Sequence, residues 1–277
     1  MLGVHRFYRD GVPGPFWLFA EGFAASIAGV VFGWWLFPDE VSLVCIFLAA
    51  IATDDSVDRV LAGNRRSIFE DGQSPWLANR DLIVLMFAMF LGTVVGFTAV
   101  VYSLPLETAQ QLFSHQLAEY ADARFQTLDF GHPTAILGAN LYVLLFFFIL
   151  AIPFRHGGVM LAVAWNASVW GATFGVLARR FADDTGVSLV SAYARVTLAV
   201  LPHMAVEALA FTIAGFAGVF LSKGLAKHAI HSDVLASISR TVVVMLVLAA
   251  GLIIVGAVFE GTVAGSLSQW LSQVGGK

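Results

Sequence analysis

The sequence predicts an all-α fold: a polytopic transmembrane helix bundle of six spans plus one short or half-inserted segment, with amphipathic helices outside the bilayer. Composition and a series of long apolar runs carry this expectation. Of the 277 residues, 58% are hydrophobic and 12% charged, with a mean hydropathy of +0.82. Soluble domains are about half apolar and about a quarter charged. A water-soluble monomer with this balance would lack the polar side chains needed to cover its surface. A disordered chain, a disulfide scaffold and a soluble enzyme are therefore excluded. The net charge of −4 from 15 basic and 19 acidic residues offers no basic face for nucleic acid. Cys45 is the single cysteine and has no partner within the chain.

A helix crosses the hydrocarbon with about 20 apolar residues. In chain order, the runs that meet this requirement are 16–37, 82–104, 134–152, 158–178, 189–222 and 235–265. Glu21 interrupts the first run, which continues through Trp34 and Trp35, so it reads as mature structure and not as a cleaved signal. Pro38 ends it, because proline cannot continue a helical ladder. The next run, 41–53, has only 13 residues and is expected to be a short span or a segment inserted half-way. After it, residues 55–70 set Val57, Val60, Leu61, Ile68 and Phe69 among charged neighbours, which reads as an interfacial helix within a cytoplasmic segment, 54–80. Residues 106–125 read as a helix in an external loop, 105–131. No Pro-, Gly- or Ser-rich linker divides the chain, so 1–277 is expected to be one membrane domain.

The Lys and Arg residues of short loops set orientation. Segments 54–80, 153–157 and 223–240 hold eight of them, against five on the opposite side, with Arg6 and Arg9 unassigned. This bias places 54–80 in the cytoplasm and the C-terminus outside. Trp34, Trp35, Trp76 and Trp270 fall near the expected interfaces, where amphipathic rings belong.

Charged side chains at membrane depth are costly and mark functional positions by default. Glu21, Glu207 and Glu260 lie inside expected spans, as do His203, Asn140 and Asn166. His203 precedes Glu207 by four residues, so the pair shares a helix face. That face continues through Ala210, Ala214 and Gly218, a stripe of small residues suited to close helix contact. Pro202 is expected to bend the helix beside the pair. Two readings stand side by side. His203 and Glu207, with Glu260 or Glu21, can exchange a proton, bind a cation or hold a ligand. Alternatively they bond to each other and to a neighbouring helix as packing contacts. Asn140 and Asn166 read first as bridges between helices. The Gly-x-x-x-Gly pairs Gly29/Gly33, Gly92/Gly96, Gly171/Gly175 and Gly261/Gly265, together with Gly215 and Gly218, describe close packing within the chain or between copies.

Catalytic patterns are sparse. The chain has no Gly-x-Ser-x-Gly elbow, no His-Glu-x-x-His and no phosphate-cradling loop. Asp54-Asp55-Ser56-Val57-Asp58 fits the aspartate-rich motif with which membrane prenyltransferases hold magnesium and diphosphate, and hard cations do need clustered carboxylates. Those enzymes carry a second cluster facing the first. Here the other cluster, Asp183-Asp184, is expected on the opposite side of the membrane. No cofactor and no metal are expected.

The stretch 132–265 resembles the integral membrane family named for stage II sporulation protein M. His132-Pro133 and Asn140 open one helix, and Trp165-Asn166 leads to Gly171 in the next. Leu201-Pro202-His203-Met204-Ala205-Val206-Glu207 is similar to the family's Leu-Pro-His-Gly-x-x-Glu core, with Met204 in place of glycine. Ala257-Val258-Phe259-Glu260 is similar to its Ala-x-x-Glu ending. The resemblance implies a multi-pass inner-membrane protein of bacteria or archaea with no known enzymatic activity. It also implies that His203, Glu207, Glu260, Asn140 and Asn166 are the shared polar positions. Founding members hold peptidoglycan-degrading partners at the membrane during spore engulfment. The expected function is a scaffold or assembly factor of a cell-envelope complex, with a proton- or ion-coupled transporter or channel as the alternative. The expected partners are the lipid bilayer and either further copies of the chain or other envelope proteins.

Overall fold

The computed structural model describes residues 13–117 and 133–259, apart from a few side chains that include Trp76 and His203. Glu260, Gly261, Gly265, Trp270 and the 118–131 part of the loop expected to be external lie outside the described residues. Every regular element among the described residues is helical. In chain order they are α1 Pro15–Leu36, α2 Val41–Phe69, α3 Pro75–Ser103, α4 Leu106–Leu112, α5 Ser114–Leu117, α6 Pro133–Phe154, α7 His156–Thr185, α8 Leu189–Lys227 and α9 Asp233–Phe259. Six segments are long and apolar enough to cross a membrane: Pro15–Leu36, Arg80–Ser103, Leu137–Phe154, His156–Thr185, Met204–Lys227 and Asp233–Val258. They correspond one for one to the six expected spans, and the protein is an all-α polytopic bundle.

The chain forms two compact units. The first contains α1 to α4, most of α5 and residues 163–172 of α7. Pro38 does stop α1, whose last bond runs from the Phe37 amide to the Gly33 carbonyl at 2.8 Å. A four-residue turn, 37–40, then reverses the chain into α2. Gly29 and Gly33 of α1 face Cys45 and its neighbours on α2, the register of an antiparallel pair. Against α3 the register is parallel: Gly92 meets Phe19, and Gly96 meets Phe23 and Ser26. A Cβ at Gly92 would collide with the Phe19 carbonyl, so only glycine permits this approach.

The short apolar run and the interfacial helix expected after it are one continuous helix, α2. Two features account for the difference. No glycine or proline occurs between residues 41 and 62 to stop the ladder. The buried stripe also passes through the junction without a break, as Val41, Cys45, Ala49, Thr53, Val57 and Val60, with Thr53 Oγ1 bonded to the Ala49 carbonyl at 3.0 Å. The segment after α3 begins as α4 and α5, joined at Phe113, whose ring meets Phe97 of α3 edge-on at 5.9 Å.

The second unit contains α6, both ends of α7, α8 and α9. A single residue, Arg155, turns α6 into α7 at φ 51°, a left-handed backbone that is uncommon outside glycine. Gly158 makes room for the reversal beside the Leu150 carbonyl and Ala151. α8 has 39 residues, which is about 58 Å at 1.5 Å per residue, roughly twice the thickness of the hydrocarbon. It continues through Pro202 without interruption. Only its Met204–Lys227 portion forms a candidate span, so its N-terminal turns, which carry Arg195, extend past the core. Ser188 caps its start by accepting from the Ser191 amide at 3.3 Å. α9 returns alongside, with Leu235 and Ile238 against Gly224. Its outer face, including Val243, Val244, Val247 and Leu248, is exposed and apolar, as a lipid-facing surface must be.

Replacing Gly92 with valine is expected to lower stability by at least the 1–3 kcal/mol typical of overpacking, because backbone and not a flexible side chain blocks the space. Gly251→Ala, where nothing stands within 4 Å, is expected to leave stability unchanged or slightly raised. Thermal unfolding of the two variants in detergent checks the contrast.

Candidate functional site

The expected polar positions divide between the two units. Glu21, on α1, is half-buried and belongs to the first, as does Asn166 on α7, which is 9% exposed. Asn140 and Glu207 belong to the second, and there the structure brings them together. Glu207 is 7% exposed. Asn140 Nδ2, about two turns inside α6, donates to Glu207 Oε1 at 2.6 Å. This is a short, charge-assisted distance if the carboxyl is ionised.

The surroundings of this bond follow from helix register. α6 and α8 run parallel, so positions further along both helices meet again. Phe147, two turns on from Asn140, and Phe211, one turn on from Glu207, meet edge-on at 5.6 Å. Two turns further, Gly218 lies against the Phe148 carbonyl and Ala151. Ala210, Ala214 and Ala217 are fully buried on the same stretch, and Gly215 lies against Val159 at the start of α7. The small-residue stripe after Glu207 is thus the surface on which α6 rests. His203 sits on α8 one turn before Glu207, and its side chain is outside the described residues, as is Glu260. Gly171 accommodates Val94 and Phe97, and its carbonyl accepts from Thr98 Oγ1 at 3.1 Å within the first unit. Gly175 is buried on α7.

A second polar centre, in the first unit, escaped the sequence reading. Gln116 of α5 is 1% exposed. Its Nε2 donates to the Ser42 carbonyl at 2.7 Å and to Ser168 Oγ at 3.4 Å. Its Oε1 accepts from Ser42 Oγ, which in turn accepts from the His115 amide at 3.2 Å. These residues join α5 to the first turn of α2 and to α7. The available signal was the spacing of Gln116 with Leu112 and Phe113, which puts it on the apolar side of the short helices. In a segment read as external and amphipathic, a glutamine looked like solvated surface.

The aspartate run does not converge on a shared centre. Asp55 and Asp58 are exposed on α2, Asp183 and Asp184 are exposed at the end of α7, and among the described residues no three His, Cys, Asp or Glu side chains are grouped to hold a metal ion.

Breaking the Asn140–Glu207 bond with Asn140→Leu is expected to cost about 0.6–1.7 kcal/mol, the range of hydrogen bonds between membrane helices. Glu207→Gln keeps an acceptor for Asn140 and should cost less. Denaturant titration of the two variants and their double mutant reads the coupling directly. Gln116→Leu removes the acceptor of the buried Ser42 hydroxyl and should cost about 1–3 kcal/mol by the same measurement.

Known proteins place this architecture. A family model described as Stage II sporulation protein M matches residues 82–264, about two thirds of the chain. It begins at α3, well before the 132–265 stretch that carries the sequence resemblance. No curated protein and no solved structure matches. With most of its helical bundle inside that match, the chain belongs to the stage II sporulation protein M family.

Proposed function

We propose that this integral membrane protein is a non-enzymatic scaffold or assembly factor for a cell-envelope complex in the inner membrane of a bacterium or archaeon. The observation that supports this reading is the setting of Glu207. Its carboxylate is met by the Asn140 amide at 2.6 Å, and the stretch of α8 that follows it packs through alanine, glycine and an edge-on phenylalanine pair. A buried carboxylate placed this way bonds two helices to each other. A carrier site needs its ionisable group to exchange protons or ligand with water on alternate sides. The apolar outer faces of α6 and α9 suit lipid or the helices of a further copy or envelope partner.

The test uses the full chain in liposomes loaded with a pH-sensitive dye, alongside native gels of mild-detergent membrane extracts. A scaffold gives no proton flux in the wild type or in Glu207→Gln, and migrates as a complex larger than one chain. Wild-type proton flux that disappears in Glu207→Gln overturns the scaffold reading in favour of transport. Magnesium-dependent lipid transfer that disappears in Asp54→Asn and Asp58→Asn would overturn the non-enzymatic assignment.

A further inference from the structure

One end of the first unit forms an open cavity of about 200 Å³. The α1–α2 turn forms one wall, with Trp34, Asp39 and Ser42, and the α4–α5 segment forms the other, with Thr108, Gln111 and His115. Pockets for drug-sized ligands hold about 300–1,000 Å³, so this one suits a small polar group.

We infer that this cavity binds a primary ammonium group at the membrane surface, such as the headgroup of an aminophospholipid. Charge is the first reason. Asp39 supplies a carboxylate, and no lysine or arginine lines the space, so a cation is favoured over a phosphate or carboxylate. Chemistry is the second. A primary ammonium has three N–H donors to share among the Asp39 carboxylate, the Thr108 hydroxyl and the Gln111 carbonyl, whereas a quaternary ammonium has none. Trp34 lines the same space, and an indole attracts a cation that comes within about 6 Å of its face.

Depth is the third reason. α1 is a candidate span that ends at Leu36, and its last turn exposes Phe32, Trp34 and Trp35, followed by Phe37. Exposed aromatic rings at the end of a span mark headgroup level, so the cavity lies where lipid ammonium groups are concentrated. The wall is also held in place before any ligand arrives: the His115 amide bonds to Ser42 Oγ at 3.2 Å, and buried Gln116 ties α5 to the start of α2. Pre-organisation of this kind reduces the entropy lost on binding. A chelated metal ion fits less well, because no group of three His, Cys, Asp or Glu is assembled among the described residues. The inference holds whether or not the protein assembles an envelope complex.

Native mass spectrometry of the full chain in non-ionic detergent tests it. The probes are short-chain phosphatidylethanolamine, phosphatidylcholine and phosphatidylglycerol, with free ethanolamine as competitor. The ethanolamine lipid is expected to be retained over the other two. Asp39→Asn should weaken its binding about tenfold, the equivalent of 1.4 kcal/mol, and Trp34→Leu should weaken it several-fold. Glu40→Gln removes the neighbouring charge outside the cavity and should leave binding unchanged. Unaltered thermal unfolding of each variant verifies the fold. Displacement by free ethanolamine at equal concentration supports the ammonium site with a soluble amine as its source, and failure to displace supports it with the lipid as source. Equal retention of the choline or glycerol lipid overturns the inference. So does an Asp39→Asn variant that binds as wild type, or a Glu40→Gln variant weakened as much as Asp39→Asn.

Discussion

Helices inside a bilayer gain almost nothing by burying one apolar face against another, because the lipid they leave is as apolar as the neighbour they meet. What remains is close van der Waals contact, which needs small side chains, and hydrogen bonds between groups that have no water to turn to. Both are concentrated at the helix junctions of this protein. In the first unit, Gly92 and Gly96 bring α3 against the backbone of α1, and Gly29 and Gly33 do the same for α1 and α2. In the second, Gly218 and the buried alanines of α8 admit α6. The same approach of α6 and α8 fixes the spacing of the aromatic pair Phe147–Phe211.

Each unit then adds a polar bond to this apolar contact. Asn140 and Glu207 tie α6 to α8, while Gln116 ties α5 to α2 and α7. Dispersion contacts tolerate sliding, since one methyl replaces another with little change in energy. A buried carboxylate or amide does not slide, because any other register leaves it unsatisfied. The glycines therefore set how near the helices come, and the polar bonds select the register in which they stop. A protein whose role is to hold others in place is well served by such a division, and so is one that must keep a small surface cavity open beside α2.

The segment that follows the α3 span shows how the same rules act on short helices. α4 and α5 have 7 and 4 residues, too short to be stable alone. They persist because Phe113 is buried against Phe97 and Gln116 is bonded to Ser42. Half-buried Thr108 and exposed Gln111 and His115 are then held over the α1–α2 turn instead of dispersing into water.

Much of this protein is determined by sequence alone. The number of spans follows from apolar length, because the thickness of the hydrocarbon is a fixed ruler. The contact role of Gly92, Gly96 and Gly218 follows from four-residue spacing, and the cost of a buried carboxylate marks Glu207 together with Glu21 and Glu260. Three matters were decided only by tertiary structure. That α2 runs unbroken through Asp54 depends on a buried stripe whose partners are other helices, which local charge cannot reveal. That Gln116 is buried depends on what covers it, and a glutamine has the same local pattern on a wet surface as in a bonded core. That Asn140 is the residue donating to Glu207 depends on the relative register of α6 and α8, a long-range quantity fixed by helix packing and by no property of either segment alone.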